Sequence, residues 1–456
     1  MIERYMDQEM EDIWRERAKF KRWLQTECAV LEGRAACGPL DPAVAKRIRK
    51  QARFSTRRMA QLEAQNKHDL LAFIETVRAS LAPEDRGELH LYMTSYDTEE
   101  IPTILRLLAS IAVLLNRLKL LRSAIFDRAR QYAKTIMIGR THGQHAEPIT
   151  FGFKLLGWYD MLGRNIAALE WLADFISVGK IRGAVGVGGE LSAEIEAHVC
   201  HSFGLRVAPH VTQIIHRDYH VRVLSELAVL GGNIEHIAKD LWIMSLPEIG
   251  EVREPFEDAQ KGSSRMPHKK NPITLEQLFG LPRLLRGYDG SYQECIATFA
   301  ERDISQSSVE RIVLPDSFHL ANRLVKRLTR VIAKMEVFPQ RMLQNLDLTK
   351  GCTYSGPIKD LLLSWGMDPE QTYQLMQKLC NGAMSGTAHL CGLVSCNGEI
   401  EKLVKAGNAA ERSKQLDECF NPWRGLKDLP VIFSRFGIDF ETGEEIKKEE
   451  EVAKQP

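Results

Sequence analysis

Residues 223–247 read VLSELAVLGGNIEHIAKDLWIMSLP. Val223, Leu224, Leu227, Leu230, Ile234, Ile237 and Leu241 recur at helical spacing, and the pattern stops at Pro247, which cannot continue a helix. Gly231 and Gly232 interrupt it at a cost of about 1 kcal/mol each against Ala, unless close packing needs them. Leu155, Trp158, Leu162, Ile166, Leu169 and Leu172 repeat the signal upstream, and a third such segment runs from about Pro102 to Ala129. Helices of this length extend about 35 Å. Strand-like alternation is scarce, so the chain is expected to be all-α, with long helices packed into a bundle of the kind often shared between subunits.

Working outward, 456 residues exceed one ordinary core, so two or three domains are expected. The spacing predicts an N-terminal helical domain (1–95), a central long-helix bundle (96–345) and a C-terminal domain of short helices (346–445), with a boundary near Gly351 and Ser355-Gly356-Pro357. Residues 446–456 form a charged tail, expected to be disordered. A net charge of +1 gives no drive toward nucleic acid or membrane. The opening MIERYMDQEMEDIW has no apolar signal-peptide core, and the apolar stretch Leu107–Leu115 is too short to span a bilayer. Nine scattered cysteines without a framework point to reduced thiols and a cytoplasmic setting.

Two segments carry chemistry. Gly262-Ser263-Ser264-Arg265-Met266-Pro267-His268-Lys269-Lys270-Asn271-Pro272 joins mobile glycine, adjacent hydroxyls and clustered cations, a composition suited to closing over an anion or, alternatively, to an ordinary polar surface loop. Gly139-Arg140-Thr141-His142-Gly143-Gln144-His145-Ala146-Glu147-Pro148 places two histidines and a carboxylate just before a long helix. Those imidazoles either line a site or are satisfied by nearby carboxylates. His68-Asp69 and His90, followed by Thr94-Ser95, are further candidates. Glu194, His198 and His201 share a helix face but lack the order of a zinc helix, so a metal site is not expected; Cys391 and Cys396 read as thiols rather than ligands. Gly183–Gly189 lacks both the Walker lysine and the dinucleotide spacing.

Together these parts suit removal of a proton next to a carboxylate. That reaction needs a base, donors around the developing charge, and an acid for the departing group. An imidazole, exchanging protons near pH 7, suits the acid role.

The 262–272 loop resembles the GSSxMPxKxN loop of the fumarase/aspartase superfamily, and within it the chain resembles the adenylosuccinate lyases. Arg4-Tyr5, Lys67-His68-Asp69, His90 with Thr94-Ser95, the 139–148 segment, Thr212-Gln213 with Arg217-Asp218, and Glu301–Arg311 (ERDISQSSVER) follow that family's order. The resemblance implies a three-domain fold whose bundle forms a tetrameric core, with sites drawing on three subunits. It implies elimination of fumarate from adenylosuccinate and from the succinylcarboxamide ribotide, without metal or organic cofactor. His142 would be the general acid and Ser263 the base, supported by Lys269, Asn271 and Glu276. His68 and Asp69 would assist at the phosphate and leaving group. His90, Thr94, Ser95, Gln213 and Ser264 would contact the succinyl part, while Arg4, Tyr5, Arg302, Ser307 and Arg311 would hold the AMP portion. The chain departs from the family's pattern at Tyr92, Tyr96, Glu99, Glu100, Arg265, Phe299-Ala300 and Gln306. A superfamily relative with another substrate, such as a carboxymuconate cycloisomerase-like enzyme or another C–N lyase, is the alternative. A non-catalytic bundle protein would have lost His68, His90, His142, Ser263 or Lys269, and all five are present.

Overall fold

A computed structural model describes residues 1–446 apart from Asp258 and Thr387, so the expected tail lies outside the described residues beyond Ile446. Helices dominate. The four longest are Ser95–Gln131, Phe151–Phe175, Asp218–Met244 and Ser305–Lys334. Short strands form three two-stranded sheets among the described residues. By backbone contacts the chain divides into two units, 1–121 with 162–236 and 277–328, and 122–161 with 237–276 and 329–456, so each of the four long helices contributes to both.

Heptad-like seams explain the long helices. Ile104, Leu107, Ile111, Leu114, Leu118, Leu121 and Ile125 alternate steps of three and four residues and are all fully buried. Leu314, Phe318, Ala321, Val325, Leu328 and Ile332 do the same. An average repeat of 3.5 keeps one apolar stripe toward its neighbours over many turns. In the first unit Gly231 sits in close packing, a Cβ there lying a tight 3.0 Å from Leu285 Cδ1, whereas Gly232 faces open space. Polar rungs cross the seams, Asn165 donating to Glu226 at 2.6 Å and receiving from Asn233 at 2.7 Å.

The third long helix starts at Ser95 rather than near Pro102, which lies inside it. A proline removes one hydrogen bond and normally ends a helix. Here the preceding turn is held by buried side chains instead. Asp97 pairs with Lys180 at 2.8 Å, both fully buried, and accepts from the Arg182 and Gly183 amides. Thr98 donates to Glu27 at 2.6 Å and Glu100 pairs with Arg217 at 2.8 Å.

Within the first unit an apolar cluster built on Phe20, Trp23, Ile48, Leu70 and Phe73 underlies the N-terminal helices, with Trp23 edge-on to Phe73 at 5.4 Å. Within the second, Ile358, Leu362, Ala383, Leu390 and Val394 form the core of the short C-terminal helices.

Candidate active site

In the second unit, residues 139–148 form a β-hairpin that the scarcity of alternation concealed. Strand Ile136–Thr141 pairs antiparallel with Gln144–Thr150, leaving His142 and Gly143 as a two-residue turn. Both have positive φ, 54° and 74°, the geometry of a type I′ turn that matches the strand twist. The His142 imidazole is thereby exposed at the apex. His145 sits on the second strand with a buried, unpartnered Nδ1, and burial followed by the Arg140 charge lowers its pKa. Neither imidazole has a carboxylate partner among the described residues; the buried carboxylate here is Glu251, which Arg140 grips with two bonds of 2.7 and 3.0 Å and to which Asn345 donates at 2.9 Å. Glu251 is fully buried and immediately precedes the strand Val252–Arg253 that leads into the loop. The turn end of the hairpin and the strand that leads toward the loop are thus tied within one unit. Neither Glu251 nor Asn345 stood out in the sequence, since each is a lone polar residue without a motif.

The loop itself is closed at its neck. A Cβ at Gly262 would lie 2.1 Å from the Lys269 carbonyl oxygen, so only glycine fits there. Ser263 Oγ accepts from the amides of Arg265 at 3.3 Å and Met266 at 3.1 Å. Ser264 and Lys269 are exposed and Asn271 half-buried. Glu276 lies in the first turn of the helix Ile273–Gly280. Glu254 receives the Thr274 and Leu275 amides of that turn, at 3.3 and 3.0 Å. A cavity of about 590 Å³ beneath the loop is lined by Trp242, Phe256, Met266, Lys269, Asn271 and Glu276.

The remaining candidates fall in the first unit. His68 caps the helix Asp69–Arg78, its Nδ1 receiving the Leu71 amide at 3.4 Å. Asp69 bonds Lys19 at 3.3 Å and Arg311 at 2.9 Å; burial acts to raise its pKa, but these two cations hold it below the usual range. His90, at φ 62°, has its Nδ1 2.7 Å from Glu27, so it is a carboxylate partner through that nitrogen. The Thr94 amide donates to Asp97 at 2.9 Å, and Ser95 opens the long helix. Arg4 and Tyr5 form a short 3₁₀ turn, with Arg323 over the Tyr5 ring at 4.5 Å and bonded to the Arg4 carbonyl at 3.1 Å. Gln213 Oε1 receives Arg302 Nη1 at 2.7 Å. Ser307 and Arg311 border a cavity of about 190 Å³ together with Lys19, Glu99, Arg106 and Glu310. Burial pushes Glu99 up to about 7 and lowers Lys19, so the pocket holds a carboxyl group poised near neutrality.

Four of the departures have structural partners, while Phe299 is 82% exposed. Glu100 is neutralised by Arg217, which also pairs with Glu310. Tyr92 is half exposed beside Arg34. Tyr96 and Gln306, far apart in sequence, touch: Gln306 Nε2 donates to the Tyr96 hydroxyl at 3.3 Å.

A lyase family profile matches residues 4–285. Adenylosuccinate lyase of Synechocystis sp. is 38% identical over 441 residues, covering 96% of this chain and 100% of that one. The chain belongs to the adenylosuccinate lyase family. The enzyme of that name from Thermotoga maritima is also 38% identical, over 436 residues, covering 96% of this chain and 99% of its own. Among solved structures, a fumarate lyase from Mesorhizobium sp. superposes with a TM-score of 0.84 at 22% identity, covering 94% of this chain and 97% of that one. A 3-carboxy-cis,cis-muconate lactonizing enzyme from Pseudomonas putida does so at 0.83 and 23%, covering 96% and 97%. At such identities these likenesses establish the all-α lyase fold and nothing finer. In this adenylosuccinate lyase family member, the profile spans both the hairpin bearing His142 and the loop bearing Ser263.

Proposed function

We propose that the protein eliminates fumarate from adenylosuccinate, giving AMP, and performs the same step on the succinylcarboxamide ribotide. The observation that carries this reading is the full-length similarity to adenylosuccinate lyases. Ser263 is the base that takes the proton next to the succinyl carboxylate. Its two amide donors support that role, because they favour the deprotonated Oγ, the form that can take the proton and become the neutral hydroxyl as charge passes to the substrate. Lys269 and Asn271 clamp the resulting dianion, Ser264 and Glu276 assist, and His142 protonates the departing purine nitrogen. His68, with Asp69, acts at the phosphate and leaving group. His90, through its second ring nitrogen, joins Thr94, Ser95 and Gln213 on the succinyl portion. Arg4, Tyr5, Arg302, Ser307 and Arg311 hold the nucleotide.

The protein acts as a homotetramer in this reading, with sites completed between subunits. Support comes from large apolar side chains left outward on the long helices, Leu120, Trp171, Val229 and Ile312, each more than half exposed in the single chain. The three-segment organisation (1–95, 96–345, 346–445) is supported by the separate N-terminal and C-terminal apolar clusters. Free cysteines throughout the described residues support a reducing, cytoplasmic setting, and no described helix is long and apolar enough to cross a membrane.

The test is fumarate release from adenylosuccinate by purified protein, with AMP measured alongside. Equal amounts of both products at an enzymatic rate are expected; absence of release from folded protein refutes the assignment. Mixing His142→Ala with Ser263→Ala protein under subunit exchange should restore activity, and failure to do so counts against shared sites.

A further inference from the structure

We propose that Tyr96 is a positioning residue for the substrate, its ring holding the Arg302 guanidinium flat and leaving Nε free to meet the ligand. The inference rests on the reading above, in which Arg302 contacts the nucleotide.

The two arginines near this ring differ in what neutralises them. Arg217, 5.6 Å from the ring centroid, is paired to Glu100 at 2.8 Å and to Glu310. Arg302 lies over the same ring at 3.8 Å, and its hydrogen bond goes to a neutral amide, Gln213 Oε1. Its Nε is buried without a hydrogen-bond partner. A carboxylate in Tyr96's place would hold Arg302 equally well but would cancel its charge. An aromatic face attracts the cation while leaving its N–H groups and most of its charge for an incoming anion.

Tyr96 is itself fixed. It is 4% exposed, and Gln306, fully buried, donates to its hydroxyl at 3.3 Å. One aromatic residue therefore sets a proposed nucleotide contact, Arg302, through its face. An unpartnered cationic N–H in a buried setting is costly unless a ligand satisfies it, which marks this position as a seat for phosphate or carboxylate oxygen.

The experiment is a double-mutant cycle on the full-length protein, read as KM and kcat for adenylosuccinate and as the Kd of AMP. Tyr96→Leu should raise KM and the AMP Kd by about fivefold, with kcat held within about twofold. Tyr96→Phe keeps the face and should stay within about twofold in KM. In an Arg302→Ala background, Tyr96→Leu should add nothing. Should Tyr96→Leu not fold, Tyr96→Met fills the space without a π face and reads the same quantities. Failure of the wild type to release fumarate refutes the functional reading, and an unchanged KM in Arg302→Ala refutes Arg302's role. A large effect of Arg302→Ala beside an unchanged KM in Tyr96→Leu overturns the positioning role alone. So does a Tyr96→Leu penalty that persists undiminished without Arg302.

Discussion

Replacing Asp97 by Asn removes one negative charge from the fully buried Asp97–Lys180 pair and changes almost nothing else in shape. In the native protein the carboxylate meets Lys180 Nζ at 2.8 Å and receives the amides of Thr94, Arg182 and Gly183 at 2.9, 2.9 and 3.1 Å. Lys180 has one further acceptor, the Gln213 carbonyl at 2.7 Å. After the substitution a fully buried ammonium keeps only neutral oxygens. Stranding one member of a buried pair costs about 3–5 kcal/mol. At about 2–4 °C per kcal/mol for a domain of a couple of hundred residues, the melting midpoint should fall by about 6–20 °C. Adding Lys180→Met removes the stranded charge and should recover at least half of the loss, because a buried ion pair replaced as a whole is close to neutral. Thermal unfolding followed by circular dichroism at pH 7 measures both. A fall below about 2 °C in the single variant, or a double variant no more stable than the single, would refute the view that this pair holds the start of the Ser95–Gln131 helix.

Ser263→Ala or His142→Ala should each lower kcat by at least about 10²-fold with unchanged far-UV dichroism, and near-normal turnover in either removes that residue from its role. Gly262→Ala places a Cβ against the Lys269 carbonyl, so steady-state kinetics should show at least a tenfold loss of kcat/KM at little cost to the melting midpoint. Glu99 titrates near 7 in the folded chain against 4.5 ordinarily, through burial opposed by Lys19 and Arg311 and reinforced by Asp69 and Glu310. The folded state therefore holds the extra proton, and this group's contribution to stability declines as pH rises from about 4.5 to about 7. Glu99→Gln, which mimics the protonated form, should gain stability relative to wild type at pH 8 compared with pH 4.5, and an equal difference at both pH values would contradict the shift.

The long helices were legible because their apolar residues keep a strict period, and Pro247 marked a true end. Pro102 misled for a physical reason: the turn before it is held by Asp97, Thr98 and Glu100 through partners 71 to 117 residues distant in sequence, which local propensity cannot register. The hairpin at 136–150 was hidden because its strands lack clean alternation, although a two-residue His-Gly link was a readable turn signal. The loop and the two histidine segments were recognisable by composition. Glu251, Asn345 and Lys180 were not, since a buried polar residue acquires meaning only when its partner is known. Tyr96 and Gln306 looked like two separate oddities until folding brought them into contact.

The hairpin turn also acts as a ruler. Thr141 pairs directly with Gln144, so His142 and Gly143 are all the chain available between the strands. An inserted residue must break that last pair, slip a strand by one and turn its side chains to the opposite face, or be taken up as a second irregularity like the register shift already present between Ile138 and Arg140. The imidazole is consequently placed by counting, two peptide units beyond the Arg140 anchor. The length of the segment is thus constrained along with Gly143 and Arg140, so insertion scanning across 136–150 should find a sharp intolerance at the apex, where an exposed turn would ordinarily be the most forgiving place in a protein.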